Sequence, residues 1–156
     1  MKATWLRRGI NLWPPFIAAG IRLEFLAADF REARVAMPLR WHNRNYVRTH
    51  FGGSLFAMTD PFYMIMLMRV LGRDYHVWDR AANIEFLAPG RGTVHAHFAL
   101  GEDRLAEIRE RTAQGEKFLP EFVVEVKDEA GTVVARVRRQ IYVRLKPQVR
   151  PEKTNP

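Results

Sequence analysis

Apolar and polar positions alternate with a period of two through much of the chain, and that period predicts strands. Ile21, Leu23 and Phe25, followed by Val35 and Met37, read as one strand or as two segments joined by a bend near Asp29. The stretch 76–88 carries Ile84 and Phe86 in alternation. The turn residues Pro89-Gly90-Arg91-Gly92 follow, then Val94, Ala96, Phe98 and Leu100 on the same beat, so the pair predicts a hairpin. Phe122, Val124 and Val126 lead through the turn at 128–131 into Val133, Ala135, Val137, Ile141 and Val143, a second and longer hairpin.

Three stretches break this rhythm. Residues 3–20 predict a short amphipathic helix ending near Pro14-Pro15, with Trp5, Leu6, Trp13 and Phe16 needing a surface to cover. Residues 102–114 predict a charged helix with Leu105 and Ile108 inward, closed by Gly115. Between 54 and 71 the apolar residues are too numerous for one stripe. A helix apolar on all sides must be covered on nearly every side, and a curved sheet is the economical cover. The segment 41–49 is polar and irregular. The predicted class is therefore α+β: an antiparallel sheet wrapped around a long buried central helix, with an extra N-terminal helix and one inserted surface helix.

Composition narrows the picture. With 156 residues, 47% of them apolar, the chain has material for one substantial core, so a single domain is expected over 1–146, with a polar, disordered tail over 147–156. The absence of Cys excludes a disulfide scaffold, a thiolate metal site and a cysteine nucleophile. The formal charge is +8, and from Arg136 onward seven cations face one anion, Glu152. A field of that sign favours anionic partners: phosphate-bearing small molecules, acidic lipid or nucleic acid. The most apolar run, 62–68, is far shorter than the roughly 20 residues a bilayer needs, and Asp60-Pro61 interrupts its extension. Residues 7–20 lack a convincing cleavage site, so a cytoplasmic location is expected.

The segment Asn45-Tyr-Val-Arg-Thr-His50-Phe-Gly52-Gly53-Ser-Leu-Phe-Ala-Met-Thr-Asp60 resembles the hotdog-fold acyl-thioesterases of the phenylacetate-pathway (PaaI-like) type, which open their central helix with a Gly-Gly pair and carry an Asp eight residues after the first Gly. Leu12-Trp13-Pro14-Pro15-Phe16, Ile84-Glu85-Phe86 and Pro89-Gly90-Arg91-Gly92 resemble still more closely the hotdog family known as domain of unknown function 4442. The likeness spans roughly residues 10–146. It implies a hotdog fold and hydrolysis of acyl-CoA or a related thioester without metal or redox cofactor. It also implies a homodimer, with a homotetramer as a further assembly. By the same resemblance the Gly52 amide polarises the thioester carbonyl, Asp60 acts as general base or nucleophile from the facing subunit, and Asn45 places substrate or water. Gly53, Ser54, His50 and Arg91 are implied as substrate contacts. One position departs: the family has His immediately before the Gly pair, where this chain has Phe51, with His50 one residue earlier.

The residues lend this independent support. Helix N-termini hold unpaired N–H groups and partial positive charge, and Gly allows close approach, so Gly52 and Gly53 suit an oxyanion site. They equally suit a tight turn. Asp60 lies among many apolar residues, and a desolvated carboxylate suits acid–base work. Asp followed by Pro is also a good helix start, which would make Asp60 an N-cap. His95 and His97 share a strand face but lack a third ligand in sequence, a poor metal signature. Asn45-x4-His50 has the spacing of the Asp-x4-His dyad of hotdog hydratases, but Asn is no base. A non-catalytic acyl-CoA or fatty-acyl binder on the same fold is the runner-up. A third reading is an anion-binding surface built from Arg136, Arg138 and Arg144.

Overall fold

The computed structural model describes residues 2–151. In place of one N-terminal helix there are two, α1 (Ala3–Asn11) and α2 (Pro14–Ala19). The proline pair opens the second helix rather than closing the first, because Pro at the first helical position sacrifices no hydrogen bond. Gly20, at φ +76°, ends α2. Two strands follow, β1 (Arg22–Leu26) and β2 (Glu32–Pro38), which turn back on each other around Asp29 and pair antiparallel.

The apolar segment then runs as α3 (Gly52–Ala57) and α4 (Phe62–Leu71), with a cis Asp60-Pro61 bond between them. By length and composition alone, Gly52–Leu71 matches a membrane span. Here it lies against the sheet, with Leu55, Met58, Phe62, Met66 and Leu67 buried in the core. The rest is β3 (Tyr75–Phe86), β4 (Thr93–Ala99), the charged helix α5 (Glu102–Thr112), β5 (Glu121–Asp128) and β6 (Val133–Leu145). In α5, Leu105 and Ile108 face inward as their spacing predicts.

All six strands form one antiparallel sheet in the order β1-β2-β4-β5-β6-β3. The β5–β6 hairpin forms as predicted, but the expected hairpin of β3 with β4 does not. β3 pairs with β6 at one edge, whereas β4 lies between β2 and β5. Alternation assigns the strands and their faces but not their neighbours. The turn-like residues 89–92 instead make a crossover tied to the loop before α3: the His50 amide donates to the Gly90 carbonyl at 3.0 Å, and the Leu39 amide to the Gly92 carbonyl at 2.9 Å.

The inward beat of the sheet supplies Val94, Ala96 and Phe98 from β4, Phe122, Val124 and Val126 from β5, and Val137, Ile141 and Val143 from β6. Helix α4 crosses this face with Phe62 against Phe98 (ring centroids 4.9 Å) and Tyr63 stacked on Phe122 (4.4 Å). Such aromatic contacts add to area burial and fix the helix over β4 and β5. Of the segment from Pro147, residues 147–149 form a 3-10 turn and the Arg150 side chain packs on Gly115; residues 152–156 of the expected tail lie outside the described residues.

Candidate active site

A cleft of about 520 Å³ opens where the loop 45–52 meets the crossover 86–91. It brings together four of the sequence-predicted residues, Asn45, His50, Gly52 and Arg91, with apolar walls from Val47, Leu55 and Phe86. Asp60, Gly53 and Ser54 do not line it.

The loop is built around Asn45. Its carboxamide oxygen accepts from the Val47 and Thr49 amides (3.1 and 3.0 Å), and its nitrogen donates to Thr49 Oγ1 and the His50 carbonyl (2.9 and 3.3 Å). An Asn side chain has two donors and two acceptor sites, and all four are used here. Asn45 therefore shapes the cleft through the loop it holds. His50 is buried, with its main-chain amide on Gly90 and Nε2 donating to the Gly92 carbonyl at 3.0 Å. That bond leaves Nδ1 as the acceptor nitrogen, and it has no partner among the described residues. Burial holds the ring below the usual 6.5, and the Gly92 bond opposes the shift only in part. His50 is thus a neutral strut between the loop and the turn that carries Arg91.

Gly52 is the first residue of α3, and helix geometry gives its amide no acceptor inside the helix. A Cβ on Gly52 would sit 2.9 Å from the Phe86 ring, and one on Gly53 2.5 Å from the Phe51 ring. The two glycines let these rings close over the helix start. Ser54 is buried in the same turn. The Arg91 side chain is exposed on the cleft rim with no ion-pair partner among the described residues.

At the other end of α3 lies a cluster that the sequence reading assigned only in part. Asp60 is neither encased in apolar side chains nor an N-cap: its side chain is 45% exposed, and its Oδ1 accepts from Arg139 Nη1 at 2.8 Å. The same Nη1 reaches Asp79 Oδ1 at 3.3 Å, and Nη2 donates to Thr59 Oγ1 at 3.3 Å. Arg139 is 3% exposed, with its guanidinium 5.1 Å over the Phe56 ring. Burial pushes the Asp79 carboxyl above its usual 3.8 and the nearby Asp60 adds to the rise, while Arg139 pulls it down.

Arg139 and Asp79 are functional candidates that sequence reasoning missed, and the signal was present. Arg139 falls on the inward beat of β6 between Val137 and Ile141, and Asp79 on the beat after Tyr75 and Val77. A charge on an inward beat is an exception to alternation that needs a buried partner. The outward arginines are paired instead: Arg136 with Glu125 and Arg138 with Glu121, while Arg144 donates to the Gly115 carbonyl. Of the two strand histidines, His97 contacts Glu32 at 3.1 Å. Among the described residues no three His, Asp or Glu side chains gather as a metal site.

A long apolar helix packed on an antiparallel sheet, with a Gly pair at its start and an Asp at its break, defines a hotdog-fold protein. The chain belongs to the family described as "Domain of unknown function (DUF4442)", whose model matches residues 3–143. Solved structures agree on the fold. A Pseudomonas aeruginosa protein of unknown function, PA5026, described as a probable thioesterase, superposes with a TM-score of 0.81 at 19% identity over 94% of this chain and 97% of that one. Thioesterase HI1161 of Haemophilus influenzae gives 0.67 at 14% identity, over 99% and 96% of the two chains. The E. coli PaaI protein of the phenylacetic acid degradation operon gives 0.63 at 20% identity, over 92% and 94%. No curated protein matches the chain by sequence.

Proposed function

We propose that the protein is a cytoplasmic, homodimeric thioesterase whose site is completed between two copies, with acyl-CoA or a related acyl thioester as substrate. The observation that carries this reading is the separation of the two half-sites along β3. Gly52 packs on Phe86 at the end of that strand, and Asp60 shares Arg139 with Asp79, seven residues back along it. The Gly52 amide and Asp60 stand at the two ends of α3 and its closing turn, about 12 Å apart at a helical rise, too far for one carbonyl to meet both. β3 is a sheet edge, and its middle, residues 80–83, is exposed and includes the small Ala81 and Ala82. Antiparallel pairing of two copies of β3 about that middle sets the Asp79 half of one against the Phe86 half of the other. Each substrate then has Asp60 from one copy and the Gly52 amide from its partner.

In this arrangement Arg139 fixes Asp60 through Oδ1, and Oδ2, which makes no hydrogen bond among the described residues, takes the proton of a water molecule. The water oxygen bonds to the carbonyl carbon, and the carbonyl electron pair moves onto oxygen, held by the Gly52 amide. Collapse re-forms the C=O bond and breaks the C–S bond, and the departing thiolate takes the proton from Asp60. Arg91 on the rim is suited to a CoA phosphate.

The second reading, a non-catalytic acyl-CoA binder, is favoured by Phe51 standing where the resemblance has His. Turnover of a chain-length series of acyl-CoAs separates the two. The hydrolase reading expects Asp60→Asn to lower kcat at least about a hundredfold. Undiminished turnover in that variant removes Asp60 from the mechanism, and saturable binding by the unmodified protein without any turnover favours the binder. Sedimentation of a monomer at all concentrations would rule out the shared site.

A further inference from the structure

Helix α1 presents apolar residues on two opposite faces. Ala3, Leu6 and Ile10 turn inward, while Trp5 and Leu12, seven positions apart and so on one stripe, point outward. Burial therefore explains only half of this helix. Leu12 is 72% exposed and Trp5 62%, and Trp13 and Ile17 continue the exposed surface onto α2. Two shallow clefts that share Asn11 and Arg22 join this surface to the loop after β2: one is lined by Arg7, Arg8 and Leu12, the other by Ile17, Arg40 and His42. Trp41, 81% exposed, stands against His42 at the far end.

The charge on this surface is predominantly positive. Residues 1–23 and 33–59 contain no Asp or Glu, and Glu24 is the carboxylate at the rim. Lys2, Arg7, Arg8, Arg22 and Arg40 make no ion pair among the described residues.

From this juxtaposition of exposed tryptophan and aliphatic side chains with unpaired cations, we infer that the α1–α2 face docks the protein on an anionic lipid surface. Tryptophan rings settle at the headgroup level, leucine and isoleucine enter the acyl boundary, and arginines meet lipid phosphates. A second copy on the same face would oppose cation to cation across a twofold axis, which disfavours a self-interface. Nucleic acid would satisfy the arginines and stack on the tryptophans but leaves Leu12 and Ile17 without a partner. The inference does not depend on the hydrolase reading.

The test mixes the full chain with vesicles of phosphatidylcholine alone or with about one third phosphatidylglycerol. Sedimentation with the anionic vesicles at least about tenfold stronger than with the neutral ones is expected at low salt, weakening as salt is added. Three of the four tryptophans, Trp5, Trp13 and Trp41 but not Trp78, lie on this face, so lipids brominated along the acyl chain should quench most of the emission. The triple variants Trp5→Ser/Leu12→Ser/Trp41→Ser and Arg8→Glu/Arg22→Glu/Arg40→Glu alter only exposed positions, and each should abolish sedimentation. Failure to bind anionic vesicles at low salt overturns the inference. So does binding that survives both variants or leaves the tryptophans unquenched. Tight RNA binding without vesicle binding, or an oligomer that the first variant dissociates, also overturns it.

Discussion

At the N-terminal end of α3, most polar groups facing the cleft are neutral and many are main-chain: the Gly52 amide, an Asn45 carboxamide spent on its own loop, and a His50 ring kept uncharged by burial. At the C-terminal end the polar groups are charged side chains, with two carboxylates sharing one buried guanidinium. The difference lies in what holds each region in shape. The loop that forms one wall of the cleft is fixed by short-range bonds around Asn45, which follow directly from its residues, and neutral bonds from His50 tie it to the crossover. The cluster is fixed by a bond between residues 79 apart, which forms only once the sheet has closed. The cluster should therefore be sensitive to one charge, and the cleft to steric detail.

Arg139→Ala tests that contrast most severely. It leaves Asp60 and Asp79 facing each other without a cation, and breaking a buried pair in this way costs about 3–5 kcal/mol. Chemical denaturation should report that loss at neutral pH. Asp79 is already raised by burial, so a proton on it relieves the folded form; the deficit should shrink as pH falls through its folded pKa and reappear as pH rises. A pH-independent deficit would mean that Arg139 matters through packing on Phe56 instead.

His50→Leu applies the same question to the cleft. Removing Nε2 takes one of two donors from the Gly92 carbonyl, which keeps the Leu39 amide, so the expected cost is that of one hydrogen bond, about 0.5–1.5 kcal/mol. The unmodified protein should lose stability as pH drops below 6.5, because the unfolded ring takes a proton that the folded, depressed ring refuses. Thermal melts across that range should show this slope and its flattening in His50→Leu. An equal slope in both proteins would place the titrating group elsewhere.

How far each region could be read in advance follows from the same distinction. Gly52 was legible because local sequence carries its geometry, a Gly pair before an apolar run, whereas Asn45 and Arg91 came from the family resemblance. Strand faces were legible for the same reason, since Val94, Ala96 and Phe98 need only a period of two. Strand partners were not, and the β3–β4 hairpin failed because a Pro-Gly turn composition also suits a crossover. Arg139 was hidden among seven C-terminal cations that read as one basic run. Only its place between Val137 and Ile141 distinguishes it from Arg138 and Arg136, which pair outward. Likewise Pro14 signals a helix boundary without saying which side of it the helix lies on.

Gly52→Ala sharpens the comparison from the steric side. The added methyl would meet the Phe86 ring at 2.9 Å, and that ring is exposed, so it can swing away with little loss of stability. Its new position crowds the cleft. The expected result is a kcat for thioester hydrolysis lowered about tenfold, or about 1.4 kcal/mol in barrier. Gly52→Ala combined with Phe86→Ala should recover most of that activity by removing the clash. If the double variant stays impaired, the loss lies in the helix start itself rather than in the ring.

Arg91→Ala is expected to have the smallest effect. The guanidinium is exposed and unpaired among the described residues, so its removal should leave the melting temperature unchanged. Exposed ion pairs contribute roughly 0.2–1 kcal/mol, so KM for an acyl-CoA should rise no more than about fivefold with kcat preserved. That rise should diminish as salt is added, because screening already weakens the contact in the unmodified protein. Short acyl thioesters lacking the nucleotide offer the control: with no phosphate to meet, the unmodified protein and Arg91→Ala should share one KM. A difference that persists with those substrates would mean that Arg91 acts on the cleft through the 89–92 turn, whose position His50 sets, and not on the phosphates.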